Sequence, residues 1–115
     1  MVIYLYQKCS TCQSALRFLE LQSAVFTTKE INKTPPSISE LRKMLAWQFG
    51  NLKKLINTSG LLYREMHLAE RLLDMSIEEV FQLFSQEGML VKRPFLLADH
   101  FGLVGFKETE WIKKF

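Results

Sequence analysis

The sequence of 115 residues contains only two cysteines and three prolines. Two cysteines cannot form a disulfide framework, and a chain of this length can bury a core without one. No apolar run approaches the ~20 residues that a membrane-spanning helix needs. The N-terminus lacks the basic, apolar and small-residue segments of a secretory signal. We therefore expect one cytoplasmic domain over residues 1–115, with no membrane partner.

Positive charge is present but is not concentrated in any one stretch. The formal net charge is +3, and the basic pairs are spread along the chain. They are Arg42-Lys43, Lys53-Lys54, Lys92-Arg93 and Lys113-Lys114. Scattered pairs are typical of a solvated surface, whereas direct nucleic-acid binding requires a denser basic stripe. The sequence therefore predicts no direct contact with nucleic acid.

Both cysteines lie in the stretch YQKCSTCQ, residues 6–13, as Cys9 and Cys12. A disulfide across two residues closes too small a loop to stabilise a fold much, and a reducing compartment disfavours it. A zinc site requires about four ligands. The other candidates, His67 and His100, do not have ligand spacing, so we expect no metal site. Two interpretations remain open at this point, namely buried thiols that pack in the core and a working dithiol.

The first third of the chain has the pattern of a βαβ unit. Val2–Tyr6 has the pattern of a buried strand, and Val25–Ile31 that of a second one. Between them, apolar residues recur at helical spacing, on one face of a predicted helix that contains Cys12, Ala15, Leu16 and Leu19. The unit places Cys9 at or near the N-terminus of the first helix.

The middle of the chain, at approximately residues 37–90, is predicted to be a helical insertion. Ser37 with Glu40, and Ser76 with Glu79, have the spacing of capping boxes that begin helices. Shorter helices are predicted near residues 52–56 and, with a weaker pattern, at 61–68. The helix after Ser76 is predicted to turn four apolar side chains inward, Ile77, Val80, Phe81 and Phe84.

The last third of the chain predicts a hairpin followed by a short helix. Strands are expected near residues 96–98 and 103–106, joined by a turn at 99–102, and a helix is expected over Glu108–Lys114. The whole order predicts an α/β, thioredoxin-like fold with a mixed central sheet, an N-terminal βαβ unit, a C-terminal ββα unit and an inserted helical subdomain.

This placement favours redox chemistry at the two thiols. A helix N-terminus lowers the pKa of a cysteine, and Lys8 could add to this effect on Cys9. Cys12, one turn further on, is placed to resolve a mixed disulfide formed on Cys9. The rival class of low-molecular-weight phosphatases requires Cys-x5-Arg. That class is excluded, because Ala15 and Phe18 stand at the positions where arginine would be needed.

Several segments together resemble one known family. They are the CSTC stretch after the first strand, Thr34–Ser37, Leu55–Gly60, Leu90–Leu97 and Val104–Phe106. The chain resembles the glutaredoxin-linked arsenate reductase and Spx family, which has a thioredoxin-like fold. This resemblance covers nearly the whole chain, and its most specific part is Arg93-Pro94.

The resemblance implies roles for individual residues. Cys9 would be the reactive cysteine, Arg93 its anion partner and Pro94 a cis proline that faces the thiol. The candidate catalytic residues are thus Cys9, Cys12 and Arg93, and the candidate binding residues are Lys8, Ser10, Thr11, Asn57 and Pro94.

One departure from the family pattern weakens the case for arsenate reduction. Reductases of this family use three arginines around the cysteine, whereas Asn57 and Phe106 stand at two of those positions here. Each missing charge-assisted hydrogen bond is worth about 1.5–3 kcal/mol. The same reductases keep a single cysteine at the motif, whereas this chain has a second one, Cys12. We therefore expect arsenate binding to be weak.

Two functions follow from the resemblance. The first is a thiol–disulfide oxidoreductase without a bound cofactor, with glutathione as a candidate reductant and glutathione, glutaredoxin or thioredoxin as redox partner. The second is an Spx-like regulator that binds the C-terminal domain of the RNA polymerase alpha subunit, with a Cys9–Cys12 disulfide switching the interface. The turn Asn57–Gly60 favours the first function.

Overall fold

The computed structural model describes all 115 residues. No helix in it is long and apolar enough to cross a bilayer. The strands are β1 (Val2–Leu5), β2 (Thr27–Glu30), β3 (Phe95–Leu97) and β4 (Gly102–Val104). The helices are α1 (Ser10–Leu21), α2 (Ile38–Trp47), α3 (Leu61–Glu65), α4 (Leu68–Arg71), α5 (Ile77–Gln86) and α6 (Glu108–Trp111). Short 3₁₀ turns cover Leu52–Leu55, Leu72–Asp74, Gly88–Leu90 and Ile112–Lys114.

The four strands form one mixed sheet in the order β2-β1-β3-β4. β1 pairs in parallel with β2 and antiparallel with β3, and β3 pairs antiparallel with β4. The parallel pair is connected through α1, as a βαβ unit requires. The predicted mixed sheet, with its N-terminal βαβ and C-terminal ββα units, is confirmed.

Helices cover both faces of the sheet. Successive side chains of each strand point to opposite faces, so each face has its own set of packing residues. Ile3 and Leu5 pack with residues of α1 and with Trp111 of α6. Tyr4, between them, packs with residues of α2, α4 and α5. Residues 37–90 therefore cover one face of the sheet, and α1 and α6 cover the other.

Two local predictions are corrected by the structure. Ile77 was predicted to face inward, but it is 48% exposed, because it is the first residue of α5 and lies beyond the packed face formed by Val80, Phe81 and Phe84. The helix predicted over residues 61–68 is interrupted at His67, whose φ of 52° is left-handed and separates α3 from α4.

The capping boxes at Ser37 and Ser76 are both present, as predicted. The first has an additional partner, because the Tyr4 hydroxyl donates a hydrogen bond of 2.7 Å to the same Glu40 oxygen that accepts from the Ser37 N–H at 2.9 Å. Burial and the hydrogen bond to Glu40 raise the pKa of Tyr4, so the phenol keeps its proton. This contact ties the central strand to the start of the helical insertion.

Replacement of Glu40 should therefore destabilise the protein more than replacement of Glu79. Glu40→Ala removes a cap and also leaves the buried Tyr4 hydroxyl without its acceptor, a loss of about 2 kcal/mol in the free energy of unfolding. Glu79→Ala removes the equivalent cap only and serves as the matched control. Urea denaturation of both variants measures the difference.

A second substitution tests the cause of this difference. Tyr4→Phe removes the unpaired hydroxyl, so it should recover part of the stability that Glu40→Ala loses. Equal losses for Glu40→Ala and Glu79→Ala would contradict a stabilising role for the Tyr4 bond.

Candidate functional site

Cys9 lies at the junction between β1 and α1. A turn after the strand is closed by the Cys9 N–H, which donates to the Tyr6 carbonyl at 3.0 Å. Cys9 is the N-cap of α1, and its Sγ accepts a hydrogen bond of 3.3 Å from the Cys12 N–H. The thiol therefore occupies the position where a helix offers unpaired N–H groups to a negative atom.

The two cysteines have opposite environments. Both are free thiols, Cys9 half-buried and Cys12 fully buried. Partial burial acts to raise the pKa of Cys9, but hydrogen bonds from the Cys12 side chain and backbone, together with Arg93, lower it below its ordinary value. Burial, and then the hydrogen bond and charge of Cys9, raise the pKa of Cys12 to about 12. Cys9 is therefore the more acidic thiol of the pair and loses its proton first as the pH rises.

Arg93 is held beside this pair by its neighbours. Its guanidinium carbon lies 5.0 Å from the centre of the Tyr6 ring, and Nη1 lies 3.9 Å from the Met89 sulfur. Its Nε is buried and has no hydrogen-bond partner. The Arg93-Pro94 peptide bond is cis, as the resemblance predicted. Pro94 is buried, and its carbonyl accepts from the Gly105 N–H at 2.9 Å.

The remaining predicted site residues do not all lie together. Thr11 lines a pocket beside Arg93. Lys8 is exposed and is not among the groups that shift the pKa of Cys9. It lines a separate, smaller pocket. Ser10 is exposed at the start of α1. The Asn57 amide instead donates to the Met89 carbonyl at 3.3 Å, and this residue is not part of the pocket wall.

The pocket beside Arg93 was not foreseen from the sequence. It has a volume of about 540 Å³, and its walls come from three chain segments besides Thr11. Its cationic side chains are Lys53, Lys54, Lys92, Arg93 and Lys107. The sequence offered a signal in the pairs Lys53-Lys54 and Lys92-Arg93, but nothing local to either pair indicates that they face the same space.

The environment of Cys9 predicts its pH dependence. Because a thiolate is the nucleophile, alkylation by iodoacetamide should reach half its maximal rate at a lower pH than for an ordinary cysteine, whose pKa is about 8.5. Cys12→Ala and Arg93→Gln each remove a group that lowers the pKa of Cys9, so both should move the midpoint to higher pH. Mass spectrometry at several pH values measures this profile.

Lys8→Gln is the matched control, because it removes a nearby positive charge that does not contribute to the shift. An upward move of the midpoint in Lys8→Gln as large as that in Arg93→Gln would count against the arrangement described above.

Comparison with known proteins identifies the family of the chain. The ArsC family model matches residues 4–115, almost the entire chain. The chain belongs to the ArsC family. The protein YusI of Bacillus subtilis is 39% identical to the chain over 111 residues, which cover 96% of the chain and 94% of YusI.

Two further relatives of this ArsC-family chain carry different descriptions. The global transcriptional regulator Spx of Streptococcus mutans is 25% identical over 108 residues, covering 94% of the chain and 77% of Spx. The crystal structure of a possible arsenate reductase from Streptococcus mutans UA159 superposes with a TM-score of 0.89 at 34% identity, covering 99% of the chain and 97% of that protein. The predicted thioredoxin-like fold and family are thereby confirmed.

The two positions at which the sequence resemblance implies arginine have other roles in the structure. Phe106 packs edge-to-face against Trp111, with ring centres 5.0 Å apart, and also contacts Phe18. Asn57 donates its amide hydrogen bond to the Met89 carbonyl, as described above. Arg93 is thus the one arginine at the site, and no group of three or more His, Cys, Asp or Glu side chains is placed to hold a metal ion.

Proposed function

We propose that this ArsC-family protein is a thiol–disulfide oxidoreductase in which Cys9 attacks and Cys12 resolves. The observation that carries the proposal is the position of Cys9 Sγ at the N-cap of α1, 3.3 Å from the Cys12 N–H, together with opposite pKa shifts that make Cys9 the more acidic thiol. A disulfide oxidoreductase needs this asymmetry, since the first step requires a nucleophile and the second requires a thiol held in reserve.

The reaction would proceed in two exchanges. The Cys9 thiolate attacks one sulfur of a disulfide, forms a mixed disulfide with it and releases the other half as a thiolate, which takes up a proton. Cys12 then loses its proton and attacks the Cys9 sulfur, releasing the second half as a thiol and leaving a Cys9–Cys12 disulfide. Glutathione, glutaredoxin or thioredoxin is the candidate donor of the two electrons that restore the dithiol.

Arg93 would act as a positioning and charge-stabilising residue in this scheme. Its buried Nε has no partner, and its guanidinium lowers the pKa of Cys9. A planar guanidinium can donate to a thiolate and to a substrate oxygen from the same side. With Phe106 and Asn57 at the other two arginine positions, we do not extend the proposal to arsenate as the main substrate.

Turnover with model disulfides tests the proposal. The reduced protein is incubated with 2-hydroxyethyl disulfide, and electrons come from NADPH through glutathione reductase, glutathione and glutaredoxin, or through thioredoxin reductase and thioredoxin. The expected result is NADPH consumption faster than in the same mixture without the protein. No turnover in any of these systems would overturn the oxidoreductase proposal.

A second candidate function is supported by the similarity to Spx. In this alternative the chain binds the C-terminal domain of the RNA polymerase alpha subunit, and formation of the Cys9–Cys12 disulfide changes the affinity. A pull-down with that domain, using reduced and oxidised protein, tests it. Binding in neither state would remove the regulator, and equal binding in both would remove the redox switch.

A further inference from the structure

The basic pocket beside Cys9 has properties that the two thiols alone do not require. Five cationic side chains line it and only one carboxylate does, that of Glu110. The ion pairs of the structure are Lys33–Glu30 and Arg42–Glu78, so none of the five pocket cations is paired. Like charges gathered at a concave surface raise the local positive potential and attract anions.

The fold brings these charges together from separate segments. Lys53 and Lys54 lie in the 3₁₀ turn after α2, Lys92 and Arg93 precede β3, and Lys107 is the N-cap of α6. Gly105 allows this approach: its φ is +67°, and a Cβ there would lie 3.2 Å from the Lys92 side chain. Gly105 and Lys92 are therefore close neighbours within the pocket wall.

The pocket adjoins the reactive thiol through two residues of its wall, while Cys9 itself lies outside that wall. Thr11, two residues after Cys9, and Arg93, which lowers the pKa of Cys9, both belong to the pocket wall. A volume of about 540 Å³ is within the range of pockets that hold small molecules. A substrate whose sulfur is attacked by Cys9 can therefore place its remaining atoms among the lysines.

We propose that this pocket selects the substrate, so that the disulfide reduced at Cys9 is a small molecule carrying carboxylates that bind Lys53, Lys54 and Lys107. This inference rests on the proposed oxidoreductase function and specifies its substrate class. The thiol–disulfide exchange itself is the one described above. The anionic disulfide is reduced to two thiols, and the Cys9–Cys12 dithiol is oxidised to a disulfide.

Three disulfides of similar size and different charge test the selection. They are 3,3′-dithiodipropionate, which is anionic, 2-hydroxyethyl disulfide, which is neutral, and cystamine, which is cationic. At low ionic strength kcat/KM for the anionic compound should exceed that for cystamine by about tenfold or more, and added salt should reduce the ratio. A ratio near one in the wild-type protein would overturn the selection.

Double variants with reversed charge show whether the pocket lysines cause the preference for the anionic disulfide. Lys53→Glu with Lys54→Glu should bring the ratio of the anionic to the cationic substrate close to one. Lys113→Glu with Lys114→Glu makes the same change in net charge outside the pocket and should leave the ratio within about twofold of wild type, because distant exposed charges are screened. An equal fall in both pairs would show that net charge acts rather than the pocket, and would overturn the proposal.

A binding measurement separates this inference from the oxidoreductase proposal. The thioether 3,3′-thiodipropionate cannot be reduced, and it should shift the amide NMR signals of Thr11, Lys54 and Gly105. Binding without turnover of any disulfide would overturn the proposed reaction and retain an anion site. Turnover without charge preference would retain the reaction and overturn the selection, and absence of both would overturn both.

Discussion

Cys9→Ser is expected to lower disulfide turnover by on the order of a thousandfold or more, because it replaces the nucleophilic thiol with a hydroxyl, which is a far weaker nucleophile toward a disulfide. The hydroxyl can still accept the N–H of Cys12 as an N-cap, and serine is a favoured capping residue. The variant should therefore keep its fold. The measurement is the coupled assay with 2-hydroxyethyl disulfide, corrected for the rate without the protein, together with circular dichroism to verify folding.

Cys12→Ser tests whether Cys12 resolves the mixed disulfide on Cys9. It leaves the nucleophile but removes the resolving thiol, so the protein should stop after the first exchange. Mass spectrometry should then find one substrate half attached to Cys9 in stoichiometric amount. The same adduct on Cys12 in the Cys9→Ser variant would reverse the assigned roles, and undiminished turnover by Cys12→Ser would mean that an external thiol resolves the intermediate.

Gly88→Ala is expected to be among the most destabilising single changes, with a loss of about 3 kcal/mol in the free energy of unfolding and a fall of roughly 10 °C in Tm. A Cβ at residue 88 would lie 1.8 Å from the Ile31 carbonyl oxygen, far inside contact distance. Ile31 is itself held by its N–H bond to the Leu5 carbonyl at 2.9 Å. Neither backbone can therefore shift freely, and thermal denaturation measures the cost.

Gly50→Ala provides the control for this prediction. Gly50 has a φ of +77°, but a Cβ there would meet nothing within 4 Å. Its substitution should cost only the backbone strain, about 1 kcal/mol. If the two alanine variants unfold at the same temperature, the close approach of Gly88 to Ile31 does not govern stability.

The parts of the site that the sequence predicted are those that are local in the chain. Cys9 follows a strand by a few residues and begins a helix, so its place at the helix N-terminus could be inferred from patterning alone. The capping boxes could be inferred for the same reason, since their partners are three residues apart. The cis bond before Pro94 was inferred from the resemblance to a family and not from the local sequence.

The lysine pocket could not be predicted, because its walls meet only after the fold has formed. From the sequence, Lys53 and Lys54 are predicted to be solvated surface charges, and both are exposed in the structure. What makes them a candidate site is that they line the same pocket as Lys107, which is more than fifty residues further along the chain. The direction of the Asn57 side chain depends in the same way on the distant Met89 carbonyl.

The burial of β1 has a consequence for how a change at the thiols can spread. Ile3 and Tyr4 are almost completely buried on opposite faces of the sheet. Buried central strands are generally the last part of a domain to exchange their amide hydrogens, whereas exposed segments open more readily. Cys9 joins such a strand to the first turn of α1. We therefore expect any rearrangement on oxidation of the two thiols to fall on the helix side of Cys9 and to leave the strand in place.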